Sequence, residues 1–342
     1  MKKLNAFYVL TALMLGLSSC EDDDVNSEEQ TFFEDLDGDG IGNENTSMIA
    51  SEIPEGYVLE SGDFDDNNEE VQTIEDASLA LLLNLGGDDT YALETYVNQD
   101  VYIQHNQTFG DGVGFVLGAV QLGALAGTTY ELSRVFTDTN EDGDTIVVLH
   151  GIYGGNWNGG NPQVAFDVFR FDAESGLIEE HWDNLIFPTD PLVDVVNENS
   201  QLDGNTMVED EDLTEANKTV VANFISDVLV GGMWTTLGPL YFNESGEYIQ
   251  HSPGVENGIE YFVDFGDNFQ KYDSLSPRFL YGEGNFVLAL SQGNDDSEFE
   301  NIAFYDLFRL EEGKIIEHWD IVQGILQEGD ENIAAGNTNG KW

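Results

Sequence analysis

The apolar residues of the chain follow a helical pattern at two places, one in each half. In the second half, apolar side chains recur at helical spacing: Val220, Val221, Phe224, Ile225, Val228 and Leu229. In the first half, Ile74, Leu81, Leu82 and Leu85 have a similar spacing. Because such spacing puts apolar side chains on one face of a helix, the pattern predicts one helix in each half. Each helix runs into a glycine pair that can end it, at 86–87 and at 231–232.

Shorter apolar and aromatic runs, separated by turns that contain glycine, follow each predicted helix. In the first half they cover 146–152, 164–171 and 177–183, and in the second half 286–290, 302–310 and 314–322. Runs of this length, rich in β-branched and aromatic residues, are typical of strands. Helices followed by an antiparallel meander predict an α+β domain with its helices on one face of a curved sheet.

The predicted elements carry a repeated set of motifs in the same order. Tyr102-Ile103-Gln104-His105 recurs as Tyr248-Ile249-Gln250-His251, and residues 165–171 match residues 304–310. Ile178-Glu179-Glu180-His181-Trp182-Asp183 recurs as Ile315-Ile316-Glu317-His318-Trp319-Asp320. A repeat of this kind predicts two tandem copies of one domain. We place the copies at 71–195 and 213–330, with a linker at 196–212 and a C-terminal tail at 331–342.

Residues 20–70, which precede the first copy, are rich in acidic, amide and glycine residues. A segment with so few aliphatic side chains cannot offset its ordering entropy, so we expect a disordered acidic tether. Inside it, Asp35, Asp37, Asp39 and Asn43 place oxygen ligands between glycines, as a calcium loop requires. The stretch resembles the calcium repeats of thrombospondin type 3 and dockerin modules, although Thr46 stands where an EF-hand has a bidentate Glu. It is either a weak calcium site or a plain acidic turn.

Residues 1–19 have the pattern of an export signal. Lys2 and Lys3 precede an apolar stretch, Ala6 to Leu17, that is too short to span a bilayer. Leu17-Ser18-Ser19-Cys20 resembles a bacterial lipoprotein signal, which implies that Cys20 carries a lipid that anchors the protein to a membrane. The alternative is an ordinary secretory signal with an incidental cysteine. The acidic residues 21–24 resemble signals that send some lipoproteins to the outer cell face, so we predict a surface-exposed lipoprotein of the outer membrane.

Charge and cysteine content exclude several classes of function. The chain has 67 acidic residues against 10 Lys and Arg, which gives a formal net charge of −57. Because affinity for nucleic acid comes mainly from cations that neutralise phosphates, nucleic-acid binding is excluded. Cys20 is the single cysteine and is accounted for by lipidation, so we expect no disulfide, no thiolate nucleophile and no cysteine metal site.

In this order, the motifs resemble a known family. A helix, Tyr-Ile-Gln-His, Asp-x-Phe-Arg, a glycine turn and Ile-x-Glu-His-Trp-Asp are similar to the SnoaL-like polyketide cyclases of the nuclear-transport-factor-2-like superfamily. The resemblance covers residues 71–195 and 210–330. It implies two tandem cone-shaped α+β barrels. It also implies aldol cyclisation, isomerisation, dehydration or noncatalytic ligand binding, because one fold supports many functions.

Four of the five histidines lie at repeat-equivalent positions, and we expect them to form the site together with aspartates. The candidate catalytic residues are His105, Asp167 and His181 in the first copy and His251, Asp306 and His318 in the second. The aromatic residues predicted to line the pocket are Tyr102, Phe169, Trp182, Tyr248, Phe308 and Trp319. An apolar environment moves the pKa of such groups towards the working pH, which favours acid–base catalysis. Strand alternation puts His181 and Asp183 on one face and Trp182 on the other, and it leaves open which face lines the pocket.

The sequence leaves two classes of function open. One is acid–base chemistry of the aldol, isomerase or dehydratase type on a small apolar carbonyl compound, with no required cofactor and with calcium as the one ion expected in the tether. The other is a noncatalytic module that binds a hydrophobic ligand or acts as a scaffold in a surface complex. A metal site made from the same side chains is a weaker alternative, because their spacing forms no compact motif. We also expect the two copies to pack together as an intramolecular pseudo-dimer.

Overall fold

The computed structural model describes residues 29–188, 193–260, 266–267, 274–294 and 301–342. The chain divides into two compact units, with the boundary between Gly62 and Asp63. The predicted signal peptide, the lipid-attachment site Cys20 and the acidic residues 21–24 lie outside the described residues. Among the helices that are described, none is both long and apolar enough to cross a membrane.

The first unit is a four-stranded sheet built from a polar stretch of sequence. Its strands are β1 (Gln30–Glu34), β2 (Ile41–Ala50), β3 (Tyr57–Val58) and β4 (Glu60–Ser61), in the spatial order β3-β1-β2-β4. Residues 30–61 therefore form a sheet and not the disordered tether that the composition predicted. The backbone groups of β1 pair with both β2 and β3, and Phe32 is buried, and together these interactions offset part of the ordering entropy.

The second unit contains two five-stranded sheets with the same strand order. The first sheet, in the order β5-β9-β8-β7-β6, consists of β5 (Ile103–Gln104), β6 (Thr128–Thr139), β7 (Thr145–Gly155), β8 (Gln163–Phe171) and β9 (Ile178–Ile186). The second, in the order β10-β14-β13-β12-β11, consists of β10 (Ile249–Gln250), β11 (Ser274–Glu283), β12 (Phe286–Asn294), β13 (Ile302–Glu311) and β14 (Lys314–Gly324). Each sheet is an antiparallel meander whose last strand also pairs, in parallel, with the short strand. The predicted α+β fold with tandem sheets is confirmed.

Helices cover one face of each sheet. In the first copy they are α1 (Ile74–Asn84), α2 (Tyr91–Thr95) and α3 (Val113–Gln121), and in the second copy α4 (Thr214–Phe224) continues into a π-helical turn, Ile225–Val230. A capping box between Thr73 and Asp76 fixes the start of α1, because it satisfies backbone N–H groups that have no partner within the helix. The apolar stripes of α1 and α4 are buried in the two cores that lie under the helices. Three short 3₁₀ turns cover 157–159, 211–213 and 238–240.

The other faces of the two sheets pack against each other. Phe136, Val148 and Phe166 from the first sheet share one buried cluster with side chains of the second sheet. The rings of Phe136 and Phe286 stack with their centroids 6.0 Å apart. Asn184, which is fully buried, donates hydrogen bonds from Nδ2 to the carbonyl oxygens of residues 303 and 321, at 3.1 and 3.0 Å. The second unit is therefore layered as helices, sheet, sheet and helices.

Each of two segments outside the sheets follows one copy along the chain and binds the other copy. Residues 197–203, the linker strap, come after the first copy and bind the second: Asn197 and Asn199 donate to the carbonyl oxygens of Ser252 and Gln250, both at 2.9 Å. Residues 334–341, the tail strap, come after the second copy and bind the first. Asn337 donates from Nδ2 to the carbonyl oxygens of residues 104 and 109, both at 2.9 Å.

Candidate functional site

A cavity lies between the helices and the sheet of the first copy. It has about 50 Å³ of space for the centre of a water-sized sphere, and about 480 Å³ of empty space when the open solvent at its mouth is counted. Its apolar walls come from the helices, from residues 109 and 125, and from the sheet: Leu81, Leu82, Leu85, Leu93, Phe109, Val116, Leu125, Tyr153, Trp157 and Phe169. Four polar side chains also line it, namely Tyr102, Gln104, His181 and Asp183. A few polar groups in an otherwise apolar cavity are typical of a site for a small ligand.

The strand geometry explains why these polar groups meet. Alternate residues of a strand point to opposite faces, so His181 and Asp183 of β9 both point towards the helices. The parallel pairing of β5 with β9 puts Gln104 directly opposite His181. Phe169 of the neighbouring strand β8 also pairs with His181, and the two rings stack at 4.3 Å.

Asp167 and His181 form a buried pair beneath the cavity floor. Nε2 of His181 lies 3.1 Å from Oδ1 of Asp167, and the hydroxyl of Tyr153 donates to the same oxygen at 2.9 Å. Asp167 is fully buried, and this burial raises the pKa of its carboxyl above the usual range, although the hydrogen bond with His181 acts in the opposite direction. Asp167 therefore holds the ring of His181 from below, while the cavity itself is lined by His181 and Asp183.

The amide of Gln104 determines which nitrogen of His181 carries the proton. The backbone N–H of Asn106 donates to Oε1 of Gln104 at 2.9 Å, so the amide nitrogen of Gln104 faces Nδ1 of His181, at 3.1 Å. The hydroxyl of Tyr102 is also 3.2 Å from Nδ1. Since the Gln104 amide nitrogen can only donate, Nδ1 is the acceptor and Nε2 donates its proton to Asp167.

Asp183 offers a carboxylate oxygen that is not engaged by the protein. Its Oδ2 accepts a hydrogen bond from Nδ2 of Asn106 at 3.0 Å. Its Oδ1 is buried and has no hydrogen-bond partner among the described residues. The nearby Asp183 and Asp167 add to burial in raising the pKa of the Tyr102 hydroxyl, which therefore stays a proton donor. Asp183 is thus the group best placed to accept a proton from a ligand.

The second copy has the same cluster with different neighbours. Nε2 of His318 lies 3.1 Å from Oδ1 of Asp306, and the hydroxyl of Ser252 donates to Asp320 at 2.5 Å. The position that corresponds to Tyr153 is Gly293, because each lies four residues after the strand partner of the buried aspartate. Residues 261–265 and 268–273, which belong to this copy, lie outside the described residues.

His105 and His251, which the sequence suggested as catalytic, lie outside the cavity. They point towards the layer between the sheets, where His105 stacks on Trp182 and His251 on Trp319, both with centroids 4.7 Å apart. Nε2 of His105 lies 2.8 Å from a carboxylate oxygen of Glu180, and its Nδ1 lies 3.2 Å from the carbonyl oxygen of Gly340. The geometry thus gives these two histidines a structural role. They hold the straps against the sheets.

Trp182 and Trp319 were expected to line the pocket, and the structure places them elsewhere. Both are buried in the cluster between the two sheets, because they alternate with the helix-facing histidines His181 and His318 along β9 and β14. Tyr102 and Phe169 do line the cavity of the first copy. In the second copy, Tyr248 and Phe308 belong to the core under the helices, and the ring of Phe308 stacks on His318 at 4.7 Å.

Two three-residue clusters in the second unit bring together atoms that can bind a metal. In Asp167, His181 and Asp183, one ligand atom from each lies within 4.8 Å of the others, and the same holds for Asp306, His318 and Asp320. However, both ring nitrogens of His181 already face hydrogen-bond partners. A metal ion would have to displace one of these partners to reach the lone pair. The arrangement therefore suits proton transfer better than metal binding.

The predicted calcium loop forms the turn between β1 and β2. Carboxylate oxygens of Asp35, Asp37 and Asp39 lie within 4.8 Å of one another. Gly38 and Gly40 have φ angles of 87° and 100°, which side chains disfavour, so the glycines permit this sharp turn. Asn43 is not part of the group; its Oδ1 accepts a hydrogen bond from the backbone N–H of Asn45 at 2.9 Å. Calcium binding by the three aspartates remains a prediction.

The hydrogen-bond network of the cavity includes Gln104, Tyr153 and Asp183, which were not selected from the sequence as catalytic or pocket-lining residues. Gln104 and Asp183 both lie in repeated motifs, next to or two residues from a selected histidine, and that position is the signal that could have identified them. Tyr153 had no such signal, because the second copy has glycine at its position.

No family model matches the chain, and no curated protein matches it. Several solved structures are similar to part of it. An NTF-2-like protein of unknown function from Burkholderia xenovorans LB400 is 11% identical, with 34% of this chain and 91% of that chain covered and a TM-score of 0.29. A putative SnoaL-like polyketide cyclase from Jannaschia sp. CCS1 is 17% identical, with 35% and 92% covered and a TM-score of 0.27. TsrD from Streptomyces laurentii is 16% identical, with 33% and 87% covered and a TM-score of 0.25.

Proposed function

We propose that the cavity of the first copy carries out acid–base chemistry on a small, largely apolar carbonyl compound. The observation that carries this proposal is the buried Oδ1 of Asp183, which has no hydrogen-bond partner among the described residues and lies beside His181 in an otherwise apolar cavity. The reaction type is that of an isomerase, an aldol enzyme or a dehydratase.

The first step is the removal of a proton from the carbon next to the carbonyl group. Oδ1 of Asp183 accepts the proton, and the electron pair of the C–H bond becomes the double bond of an enolate. The hydroxyl of Tyr102, on the same cavity wall, donates a hydrogen bond to the enolate oxygen. If the substrate carries a double bond between its β- and γ-carbons, the enolate is conjugated with it, and return of the proton from Asp183 to the γ-carbon gives the α,β-unsaturated isomer. The sequence of steps needs no oxidant, reductant or further reactant.

His181 and Asp167 have different tasks in this proposal. His181 touches the ligand and presents its ring beside Asp183, since both line the cavity. Asp167 does not line the cavity and acts through the ring of His181, so it is a positioning residue. Tyr153 supports Asp167 by donating to the same carboxylate oxygen that faces His181. Such a chain of hydrogen bonds fixes the orientation of the ring before a ligand arrives.

We propose the cellular setting on the sequence alone. The signal that ends at Cys20 supports a lipoprotein of the outer membrane, with residues 21–24 supporting a position on the outer face. We also propose that the two copies act as an intramolecular pseudo-dimer. The buried layer between the sheets and the two hydrogen bonds from Asn184 support this proposal.

The experiment is a measurement of proton exchange in heavy water. The protein without residues 1–28 is incubated with a panel of small ketones, and NMR follows the loss of the hydrogen atoms next to each carbonyl. We expect exchange above the buffer rate for at least one ketone. Asp183→Asn keeps the shape of the side chain but cannot accept the proton, so it should slow exchange by about a hundredfold or more.

Asp89→Asn is the matched control, because Asp89 is an exposed carboxylate of the first copy outside the cavity. It should exchange at the wild-type rate. Equal rates for Asp183→Asn and the wild type would overturn the proposal, and so would a loss confined to Asp320→Asn, which would place the chemistry in the second copy. A ketone that binds, as seen by thermal shift, with no exchange in the wild type would favour the noncatalytic binding module instead.

A further inference from the structure

A second, wider cleft lies beside the cavity of the first copy. It contains about 950 Å³ of empty space, and it shares the side chains of Phe109, Leu125 and Trp157 with the cavity. These three residues therefore stand between the two spaces. A ligand that has its apolar part in the cavity can extend past them into the cleft.

The cleft differs from the rest of the protein in its charge. The chain has 67 acidic residues and a formal net charge of −57. None of the thirteen described residues that line the cleft carries a charged side chain. Five of them are amides instead: Asn106, Asn156, Asn158, Gln163 and Gln323. Because no charged side chain of the described residues lines the cleft, its contacts favour a neutral partner that forms hydrogen bonds.

Several of these amides are held at one end by the protein. Oε1 of Gln163 accepts a hydrogen bond from the indole of Trp157 at 2.9 Å, and Oε1 of Gln323 accepts one from Lys341 at 3.3 Å. Nδ2 of Asn156 donates to the carbonyl oxygen of Ala126 at 3.0 Å. The first two contacts leave amide N–H donors for a ligand, and the third leaves an oxygen acceptor. A partner for this mixture must both donate and accept.

The backbone around these amides has an unusual conformation. Asn158 has a φ of 45°, in the left-handed region that few residues other than glycine adopt and that Asn tolerates best. Gly127, with a φ of 77°, lies so close to Asn156 that a Cβ there would come within 2.4 Å of its Nδ2. Glycine at 127 thus allows the side chain of Asn156 to lie over the backbone. The orientation of the amides is fixed in advance, which lowers the entropy cost of binding.

We propose that this cleft binds an uncharged, hydroxyl-rich group such as a sugar ring, joined to the apolar part of the ligand that occupies the cavity. Hydroxyl groups both donate and accept hydrogen bonds, as the fixed amides require. The half-buried indole of Trp157, at the boundary of the two spaces, gives the ring an apolar surface to contact. The inference rests on the proposed function in that it takes the cavity as the site of the apolar part. It narrows the ligand to a glycoside of a small apolar compound.

Titration calorimetry with the protein lacking residues 1–28 tests the inference. The probes are 4-nitrophenol and four of its neutral glycosides, which carry glucose, galactose, mannose or xylose, together with the anionic glucuronide. We expect at least one neutral glycoside to bind about tenfold more tightly than 4-nitrophenol. The glucuronide should show no such gain, because the cleft offers no cation to its carboxylate. No gain for any of the four neutral glycosides would overturn the inference.

Variants separate the cleft from the chemistry of the cavity. Asn158→Ala and Gln323→Leu should each reduce the gain from the sugar, whereas Asn45→Ala, an exposed amide of the first unit, should not. Circular dichroism and thermal unfolding of each variant show that a loss is not a folding defect. Asp183→Asn should lose proton exchange and keep the gain from the sugar. Proton exchange in the wild type without tighter binding of any neutral glycoside would therefore reject only the inference about the cleft. Tighter binding of a glycoside without proton exchange would reject only the proposed chemistry of the cavity.

Discussion

One backbone hydrogen bond sets the proton position on each of the two helix-facing histidines, His181 and His318. In the first copy, the N–H of Asn106 occupies Oε1 of Gln104, so the amide nitrogen faces His181. In the second copy, Oε1 of Gln250 accepts from the backbone N–H of Ser252 at 2.8 Å and also lies 3.1 Å from Nδ1 of His318. Nδ1 of His318 must therefore donate, whereas Nδ1 of His181 accepts. The two copies share residues and differ in protonation.

This difference gives a prediction that needs no knowledge of the ligand. In the ¹⁵N NMR spectrum at neutral pH, we expect His181 to carry its proton on Nε2 and to have an unprotonated Nδ1. His318 should have a protonated Nδ1, because that atom faces Oε1 of Gln250, which can only accept, while Nε2 of Gln250 donates to the hydroxyl of Tyr248 at 3.4 Å. Gln104→Glu is the informative variant, since a carboxylate can only accept and should move the proton of His181 to Nδ1. The same protonation pattern in both histidines of the wild type would contradict the argument.

The sequence predicted part of the site because strand alternation is a strict rule. His181 and Asp183 had to share a face, and Trp182 had to lie on the other. The sequence did not show which face the helices cover, because both faces of β9 are largely buried and both carry polar side chains: one face packs on helices and the other on a second sheet. Trp182 was assigned to the pocket for that reason, although it lies between the sheets.

Among the elements of the fold, the two shortest strands have the largest effect on which side chains form the site. β5 and β10 have two residues each, too few for a periodic pattern to predict them. Their pairing with β9 and β14 nevertheless determines which of their side chains faces the His–Asp cluster of each copy. The register puts Gln104 opposite His181 and Gln250 opposite His318. His105 and His251, one residue later, then point away. A register of this kind depends on tertiary pairing, so a single sequence does not reveal it.

The sheet formed by residues 30–61 was missed for a different reason. Its composition is polar, and composition was the basis for expecting a tether. Its order comes from backbone pairing between β1, β2 and β3 and from acidic side chains that accept hydrogen bonds from nearby backbone N–H groups. Oδ1 of Asp35 accepts from Gly38 and Oδ1 of Asp39 from Ile41, both at 2.7 Å. These local bonds stabilise the turn between β1 and β2 even without an ion.

We predict that the same turn binds calcium weakly. With Asp35, Asp37 and Asp39 within 4.8 Å of one another, a divalent cation would relieve their mutual repulsion. Calorimetry at physiological salt, which screens general attraction to the acidic surface, should give a Kd of about 10⁻⁴–10⁻³ M. Asp39→Asn should abolish this binding. Glu44→Gln, an equal change of charge on an exposed residue of the same sheet, should not. Calcium binding unchanged by Asp39→Asn would contradict the prediction.

At the scale of the whole molecule, a buried lysine joins the two copies. Nζ of Lys341 donates to the carbonyl oxygen of Asp183 in the first copy and, at 3.3 Å, to Gln323 in the second. It also lies 5.3 Å from the centre of the Tyr305 ring. Burial lowers the pKa of Lys341 to about 8, although the nearby Asp183 acts in the opposite direction. The tail strap thus ends in a buried cation, and the burial of its charge lowers the free energy of unfolding.

Stability should therefore rise with pH over a defined window. Between about pH 8 and about pH 10, the unfolded chain keeps the lysine proton and the folded chain has released it, so the free energy of unfolding increases with pH. Above about pH 10 the trend should reverse, because burial raises the pKa of Tyr305 and other tyrosines, which ionise first in the unfolded chain. Urea unfolding at a series of pH values measures this. In Lys341→Met the rise should be smaller, and an identical slope in wild type and variant would contradict the assignment.

The crossed arrangement of the two straps has a consequence for biosynthesis. A ribosome makes the first copy before the second. The carbonyl oxygens of residues 104 and 109 cannot bind Asn337 until it is translated, after the second copy. Asn199, which binds the second copy, is translated before that copy. The half of the unit that is synthesised first is thus the half that is completed last. If the chain is cut after residue 203 and the halves are separated, the linker strap stays with the first copy and the tail strap with the second, so each copy loses the segment that binds it.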